Sequence, residues 1–395
     1  MTENVVVVYG SGASYASGYM IKLNQIIDGR TLSKDINPPT DQNFFTTIPD
    51  CLLQIRYQAL SYFKKIYYPP AHRKSMEEVW TDVDINHKHI RLGTYKWNSE
   101  NAEYAHQFVG NYPLIDLKNT HIDDEGRFDT SLGYNRYKFL GDCGRDFRKL
   151  IYDIYANYTV PKEYDYLRSL HIALSNSRFK NISYLTFNYD CYLEQSLSDQ
   201  GLKYIGLSDR TDNYDMLVYG GTPIIKLHGS LSWEESQSEN IYKITYRAFP
   251  YSRTSQVEPK YEGGNYWYQP AIIPPTIFKQ EINDDLRLNN DLTKTILQQW
   301  RAAITLLAAA DLIIIVGYSF PLADHHVSRL FRISNMIRKR VGQKTTKLLM
   351  CCGPEDNLDD KIEIISGIYG KDSKPIGTTD FKILIESKEF KNIIS

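Results

Sequence analysis

The sequence predicts an α/β protein: a doubly wound parallel sheet with a large helical insertion. Two observations predict it. Short apolar runs such as "NVVVVY", "NISYLTF", "TPIIKLH", "DLIIIVG" and "TTKLLMCC" recur along the chain, the texture of strands buried on both faces. Amphipathic stretches, "LTKTILQQWRAAITLLAAA" foremost, separate several of them, and strands alternating with helices imply a parallel sheet. Glycines directly follow two of the runs, in "YGSGAS" and "VGYS", where Rossmann-like folds turn toward a ligand.

The first strand spans Asn4 to Tyr9, with four valines in a row. Gly10 to Ser14 make a small-residue turn, and Ser17 to Ile27 reads as a helix ending at Gly29. From Arg30 to Ser177 apolar residues recur at three and four, as in "CLLQIRYQALSYFKKIYY" and "FRKLIYDIYANY". Residues 30–177 therefore read as a helical insertion, with "HIDDEGRFDT" an exposed turn inside it. Residues 1–29 and 178–395 make the Rossmann-like core. Within it, a polar, aromatic and proline-containing excursion runs from Ser232 to Pro275. A further helix is expected from Ala323 to Val341, and its basic continuation "IRKRVGQKTTK" reads as a solvated helix end.

Composition excludes several function classes. The 395 residues carry a net charge of -1 and are 42% hydrophobic. Nothing in that balance draws the chain toward nucleic acid or anionic lipid. The five cysteines form no C-x-x-C pair, which fits a reducing cytoplasm and argues against a cysteine-rich zinc site. Neither His325–His326 nor His87 and His89 has the spacing of a metal set, so no metal is expected. The most apolar run, "AAITLLAAADLIIIVG", is broken by Asp311 and falls short of the ~18 apolar residues of a membrane span. No leader-like segment precedes "VVVVYGSG". A soluble cytoplasmic protein is the expectation.

In open α/β sheets, ligands bind outside the carboxyl ends of the strands, so the chemistry is sought there. After the first strand, Gly10, Ser11, Gly12, Ala13 and Ser14 can bring backbone and hydroxyl close to a phosphate; a tight turn needs the same glycines. The dinucleotide fingerprint G-x-G-x-x-G is broken, because Tyr15 stands where its third glycine belongs. After "NISYLTF", Asn188 and Asp190 can grip a carboxamide or order a sugar and a water, or simply cap the next helix. After "TPIIKL", His228 is either a silent core histidine or a base, with Gly229 clearing space beside it. After "DLIIIV", Gly317 again allows close approach and Ser319 can donate to a phosphate or ribose.

Taken in order, "GSGAS", "FNYD", "KLHGS" and "GYS" resemble the glycine-rich, asparagine-aspartate, histidine-glycine and glycine-serine motifs of the sirtuins. The similarity is to the sirtuin-like domains of bacterial anti-phage defence proteins in particular, with "IIPPTIFK" and "ADLIIIVGYSFPLAD" as further matches. It covers roughly residues 1–20 and 180–330. Between His228 and Gly317 the chain has no cysteine, where sirtuin deacylases carry two C-x-x-C pairs. The resemblance thus implies a zinc-free NAD+ glycohydrolase that depletes NAD+ in abortive infection. It implies His228 as base, Asn188 and Asp190 as the groups that orient ribose and water, and the glycine-serine loops as holders of NAD+. An NAD-dependent protein deacylase, or a module that senses NAD or ADP-ribose without catalysis, is the alternative. Homo-oligomerisation is expected, with the tyrosine-rich insertion as an interface. Little chain follows the core, so the resemblance implies a separate sensor: a HerA-type ATPase or a short Argonaute-type protein.

Overall fold

The computed structural model describes residues 3–16, 20–22, 35–36, 39, 44–48, 53, 57–67, 75–83, 120–122, 128–130, 136–155, 158–159, 165–197, 202–204, 222–238, 241–246, 267–273, 291–318, 320, 325–353, 357–369 and 376–395. Among the described residues, seven strands form one sheet: β1 Glu3–Tyr9, β2 Phe179–Thr186, β3 Leu202–Tyr204, β4 Thr222–Lys226, β5 Leu312–Val316, β6 Lys347–Cys351 and β7 Ile376–Thr378. Their order is β7-β6-β5-β1-β2-β4-β3, and every neighbouring pair is parallel.

The central strands carry apolar runs because both faces of the sheet are covered. On one face Val5, Val7, Tyr184, Ile224 and Ile314 pack with Leu167, Leu170 and Leu174 of the Tyr166–Ser175 helix, and with Phe381, Leu384 and Phe390 of the last two helices. On the other, Val6, Val8, Leu185, Ile225, Ile313 and Ile315 meet helices Asp291–Ala309, His325–Arg340 and Leu358–Tyr369. The alternation of Val5–Val8 between two cores is the period of two that a strand imposes. The sheet is the doubly wound α/β arrangement that the sequence indicates.

By its internal contacts the chain divides into two compact units. The first comprises Met1–Pro38, Ile154–Ile273 and Gln280–Ser395; the second comprises Pro39–Asp153 and Pro274–Lys279. These boundaries differ from the 30–177 insertion read from the sequence. Helix Tyr166–Ser175 belongs to the first unit, because its leucine stripe is buried in the core of the main sheet. The second unit has its own aromatic core, in which Phe147 lies 4.5 Å from Trp80, 5.6 Å from Phe45 and 6.2 Å from Phe44.

One local reading is corrected, and two others gain strands. The Ser17–Ile27 helix is replaced by helix Ser11–Ala16 and a strand, Met20–Lys22, which pairs antiparallel with Asp35–Ile36 and Tyr158–Thr159. Pairing with two distant segments outweighs a local helical spacing. The Ser232–Pro275 excursion contains a three-stranded antiparallel sheet, with Gly229–Ser238 between Ile241–Tyr246 and Trp267–Ile272. At "HIDDEGRFDT", Thr120–Ile122 pairs antiparallel with Phe128–Thr130, on either side of the turn. The edge strands β3 and β7 have three residues each, too few to show a period.

The basic run at the end of the His325–Arg340 helix is also more than a solvated end. Arg338 is buried, and its guanidinium donates to the carbonyls of Ala308, Ala310 and Lys344 at 3.0, 2.5 and 2.6 Å. Ala308 is in the last turn of the preceding helix, Asp291–Ala309, and Ala310 lies just past it, so the guanidinium serves that helix end. Replacing it by alanine removes these donors, while the Ala310 carbonyl keeps the Thr346 hydroxyl at 3.1 Å. We expect Arg338→Ala to lower stability by about 2–4 kcal/mol, read as a shift in the urea midpoint.

Candidate active site

β5, β1, β2 and β4 are four consecutive strands of the sheet, all parallel, so their carboxyl ends share one edge. Gly10–Ser14 follows β1, Asn188 and Asp190 follow β2, His228 follows β4, and Gly317 follows β5. From β1 the chain builds outward through β2 and β4 on one side and later returns to lay β5 on the other, which makes the β1–β5 boundary the topological switch point. Ser319 lies outside the described residues.

The loops after β1 and β5 interlock. Gly10 donates to the Val316 carbonyl at 2.9 Å, and Gly12 donates to the Gly317 carbonyl at 3.0 Å. A Cβ on Gly10 would lie 2.5 Å from the Gly317 oxygen, and one on Gly317 would run into the Ala13 nitrogen. The Gly317 φ is +60°, in the region that favours glycine. The sequence suggested that Gly10 and Gly12 clear space for a phosphate. Here the space at those positions is filled by the backbone of Gly317. The amide of Ala13 is also engaged, with the Gly10 carbonyl at 3.0 Å. Ser11 is the exposed member of the loop and Ser14 is buried.

Ser14 joins this loop to the next. Its hydroxyl donates to Asp190 Oδ2 at 3.1 Å and accepts from Asn188 Nδ2 at 3.2 Å. Asp190 Oδ1 accepts the Tyr192 amide at 3.0 Å, so it also caps the short helix Tyr192–Ser196. One oxygen of Asp190 thus serves the start of that helix while the other meets Ser14. Upstream, the Thr186 hydroxyl donates to the Tyr9 carbonyl at 3.0 Å and accepts the Asn188 amide at 3.0 Å. Three strand-end residues, Ser14, Asn188 and Asp190, are thus brought into one buried hydrogen-bonded chain.

Burial raises the Asp190 pKa above the usual carboxylate range, and the nearby Lys226 ammonium and the Tyr192 amide pull it back only in part. Cys191 beside it is pushed up to about 12 by burial, which keeps it a thiol and not a nucleophile.

His228 is buried between aromatic rings, 5.4 Å from Phe187 and 6.3 Å from Tyr189. Phe187 stacks at 4.4 Å on Tyr318, which follows Gly317, so the β2, β4 and β5 ends meet through ring contacts. The His228 carbonyl accepts the Ile273 amide at 2.8 Å. Tyr189 donates through its hydroxyl to the Ile273 carbonyl at 2.6 Å, and its carbonyl accepts the Leu231 amide at 3.0 Å. Gly229, with φ +83°, turns the chain from β4 into the antiparallel strand Gly229–Ser238. Its glycine is accounted for by that turn.

Sequence reasoning missed one member of this neighbourhood. Lys226 has no exposed surface, and its ammonium lies 2.6 Å from Glu194 Oε1. Burial draws its pKa down, but Glu194 and the other acidic neighbours outweigh that, and the net shift is upward. The signal was present: a lysine inside "PIIKLH" must either break the strand's burial or find a buried partner. Among the described residues no three His, Cys, Asp or Glu side chains gather as metal ligands.

Residues 182–364 match the family model of the SIR2-like domain. The SIR2-like segment contains Asn188, Asp190, His228, Gly229 and Gly317, and the glycine loop after β1 lies before it. No curated protein matches the chain. Solved structures overlay loosely. A Sir2 homologue in complex with ADP-ribose is 14% identical over 100% of this chain and 92% of that one, with a TM-score of 0.38. A Sir2 bound to acetylated peptide is 17% identical over 58% and 71%, with a TM-score of 0.30.

Two outcomes are expected of the geometry. Gly317→Ala forces a left-handed side-chain residue into backbone and should cost about 2–5 kcal/mol of stability. Asp190→Asn removes a carboxyl whose pKa folding raises. Such a group favours the folded state most below its ordinary 3.8 and loses that contribution as pH climbs. The thermal midpoint of wild type minus that of Asp190→Asn should therefore fall as pH is raised from 4 toward neutrality.

Proposed function

We propose that this chain is an NAD+ glycohydrolase, cleaving NAD+ to nicotinamide and ADP-ribose. One observation supports the reading most: an imidazole, an amide and a carboxyl end up with two interlocked glycine loops on one edge of four adjacent parallel strands. The SIR2-like match over 182–364 favours NAD+ as the dinucleotide.

Nicotinamide in NAD+ is already a cationic leaving group. When its bond to the ribose C1′ breaks, the electron pair neutralises the ring nitrogen, so no acid is needed. The barrier lies in the oxocarbenium-like ribose, and a site lowers it by fixing the ligand and aiming dipoles at that charge. In this reading Asn188, held by Ser14 and Asp190, orients the ribose and a water. The water oxygen bonds to C1′, and its proton passes to His228 and then to solvent. Ser11 and Ser14 of the loop spanning Gly10, Gly12 and Ala13, together with Gly317 and Ser319, hold phosphate and ribose. Gly229, besides making the turn, lets the ligand pack against backbone where a side chain would collide.

NAD+ depletion of this kind fits an abortive-infection effector against phage. Its regulator is proposed to be a separate protein, a HerA-type ATPase or a short Argonaute-type protein, and the chain is proposed to act as a cytoplasmic homo-oligomer. No helix of the described residues is long and apolar enough to cross a membrane.

The test measures nicotinamide release from NAD+ by the purified chain, alone and with the candidate regulator. His228→Ala and Asn188→Ala should each reduce the rate by roughly 10²–10⁴-fold while remaining folded. A folded His228→Ala protein at full rate would sink the assignment. Acylated ADP-ribose formed only with an acyl-lysine peptide would replace hydrolysis by deacylation. Calorimetric binding without turnover would make the chain a sensor.

A further inference from the structure

Next to the site groups lies a buried ion pair that the cleavage steps do not use. Lys226 ends β4, and its ammonium donates to the Asp190 carbonyl at 2.5 Å and to the Ser230 hydroxyl at 3.0 Å while pairing with Glu194 at 2.6 Å. Ser230 Oγ lies 2.8 Å from Ser232 Oγ and 3.8 Å from Cys191 Sγ. Burying an ammonium and a carboxylate carries a desolvation penalty that their attraction often fails to recover. Isoleucine or leucine, as at the neighbouring Ile224, Ile225 and Leu227, would fill the strand position without that penalty. An apolar side chain would not, however, bridge separate segments.

Lys226 bridges three. Asp190 is in the loop after β2, Glu194 is on helix Tyr192–Ser196, and Ser230 lies just past the turn after β4. Asn188 stands two residues before one tied end, and His228 stands two residues before another. We propose that Lys226 is a positioning residue: by tying the Asp190 carbonyl to the Ser230 hydroxyl, it sets the spacing between Asn188 and His228. The inference rests on the NAD+-cleavage reading, since that spacing governs the attack of water. Misplacement of reacting groups by about 1 Å can cost ~10²-fold in rate.

The test compares wild type, Lys226→Met, Lys226→Met/Glu194→Leu and Ser230→Ala for kcat, KM and thermal midpoint. Lys226→Met leaves the Glu194 carboxylate buried without its ammonium, so its midpoint drops. The double variant removes both charges, and its midpoint recovers. The expected result is a kcat about 10–100-fold down in both Lys226 variants, with KM within about twofold of wild type. Ser230→Ala keeps both charges and loses one end of the tie, and it should show a smaller drop in kcat at unchanged KM. Recovery of kcat together with the midpoint in the double variant would mean a purely structural lysine and would overturn the proposal. Wild-type kcat in folded Ser230→Ala would overturn it too. If neither Lys226 variant folds, Ser230→Ala decides alone. Wild-type protein that releases no nicotinamide, either alone or with the candidate regulator, fails at an earlier step, and takes down the cleavage reading and this proposal with it.

Discussion

The site depends on one backbone contact, the packing of Gly317 against Gly12 and Ala13. It occurs where β1 and β5 lie side by side, and it leaves no room for any side chain at three positions. Gly12 and Ala13 belong to the first turn of helix Ser11–Ala16, so the contact fixes that turn and hence where Ser14 points its hydroxyl. Ser14 in turn holds Asn188 and Asp190. A steric constraint in the backbone therefore fixes the placement of the polar groups, and the sheet's parallel order delivers them to a common edge.

From Ser14 a continuous buried polar layer runs through Asp190 and Lys226 to Ser230 and Ser232. Such layers are rigid when fully satisfied, because each missing partner would leave a buried group without hydrogen bonds. This one crosses from the loop after β1 to the antiparallel sheet. The His228 ring lies against the rings of Phe187 and Tyr189, and Phe187 stacks in turn on Tyr318.

Much of the fold was readable because buried parallel strands write themselves as apolar runs. The sequence carried β1, β2, β4, β5 and β6 in that form, each with its strand-end loop attached. Met20–Lys22, β3 and β7 were not readable, since three-residue strands owe their existence to partners far along the chain. The antiparallel sheet was hidden in a polar, proline-containing stretch whose pairing is again long-range. The positions of Asn188 and Asp190 past β2, and of His228 past β4, were legible because the apolar runs before them mark the strand ends. The role of Gly10 and Gly12 was not, because nothing local says that Gly317, some 300 residues on, would fill the space beside them. Lys226 and Arg338 escaped for the same reason: the meaning of a buried cation lies in its distant partners.

The turn at Gly229 has a consequence for ligand binding. β4 ends at Lys226 and the antiparallel strand begins at Gly229, so the backbone that carries His228 belongs to no free loop. Its chain entropy is given up when the two sheets form, before any ligand arrives. In the proposed reaction NAD+ would meet an imidazole whose backbone is already in place, and its binding energy would not be drained by ordering that segment.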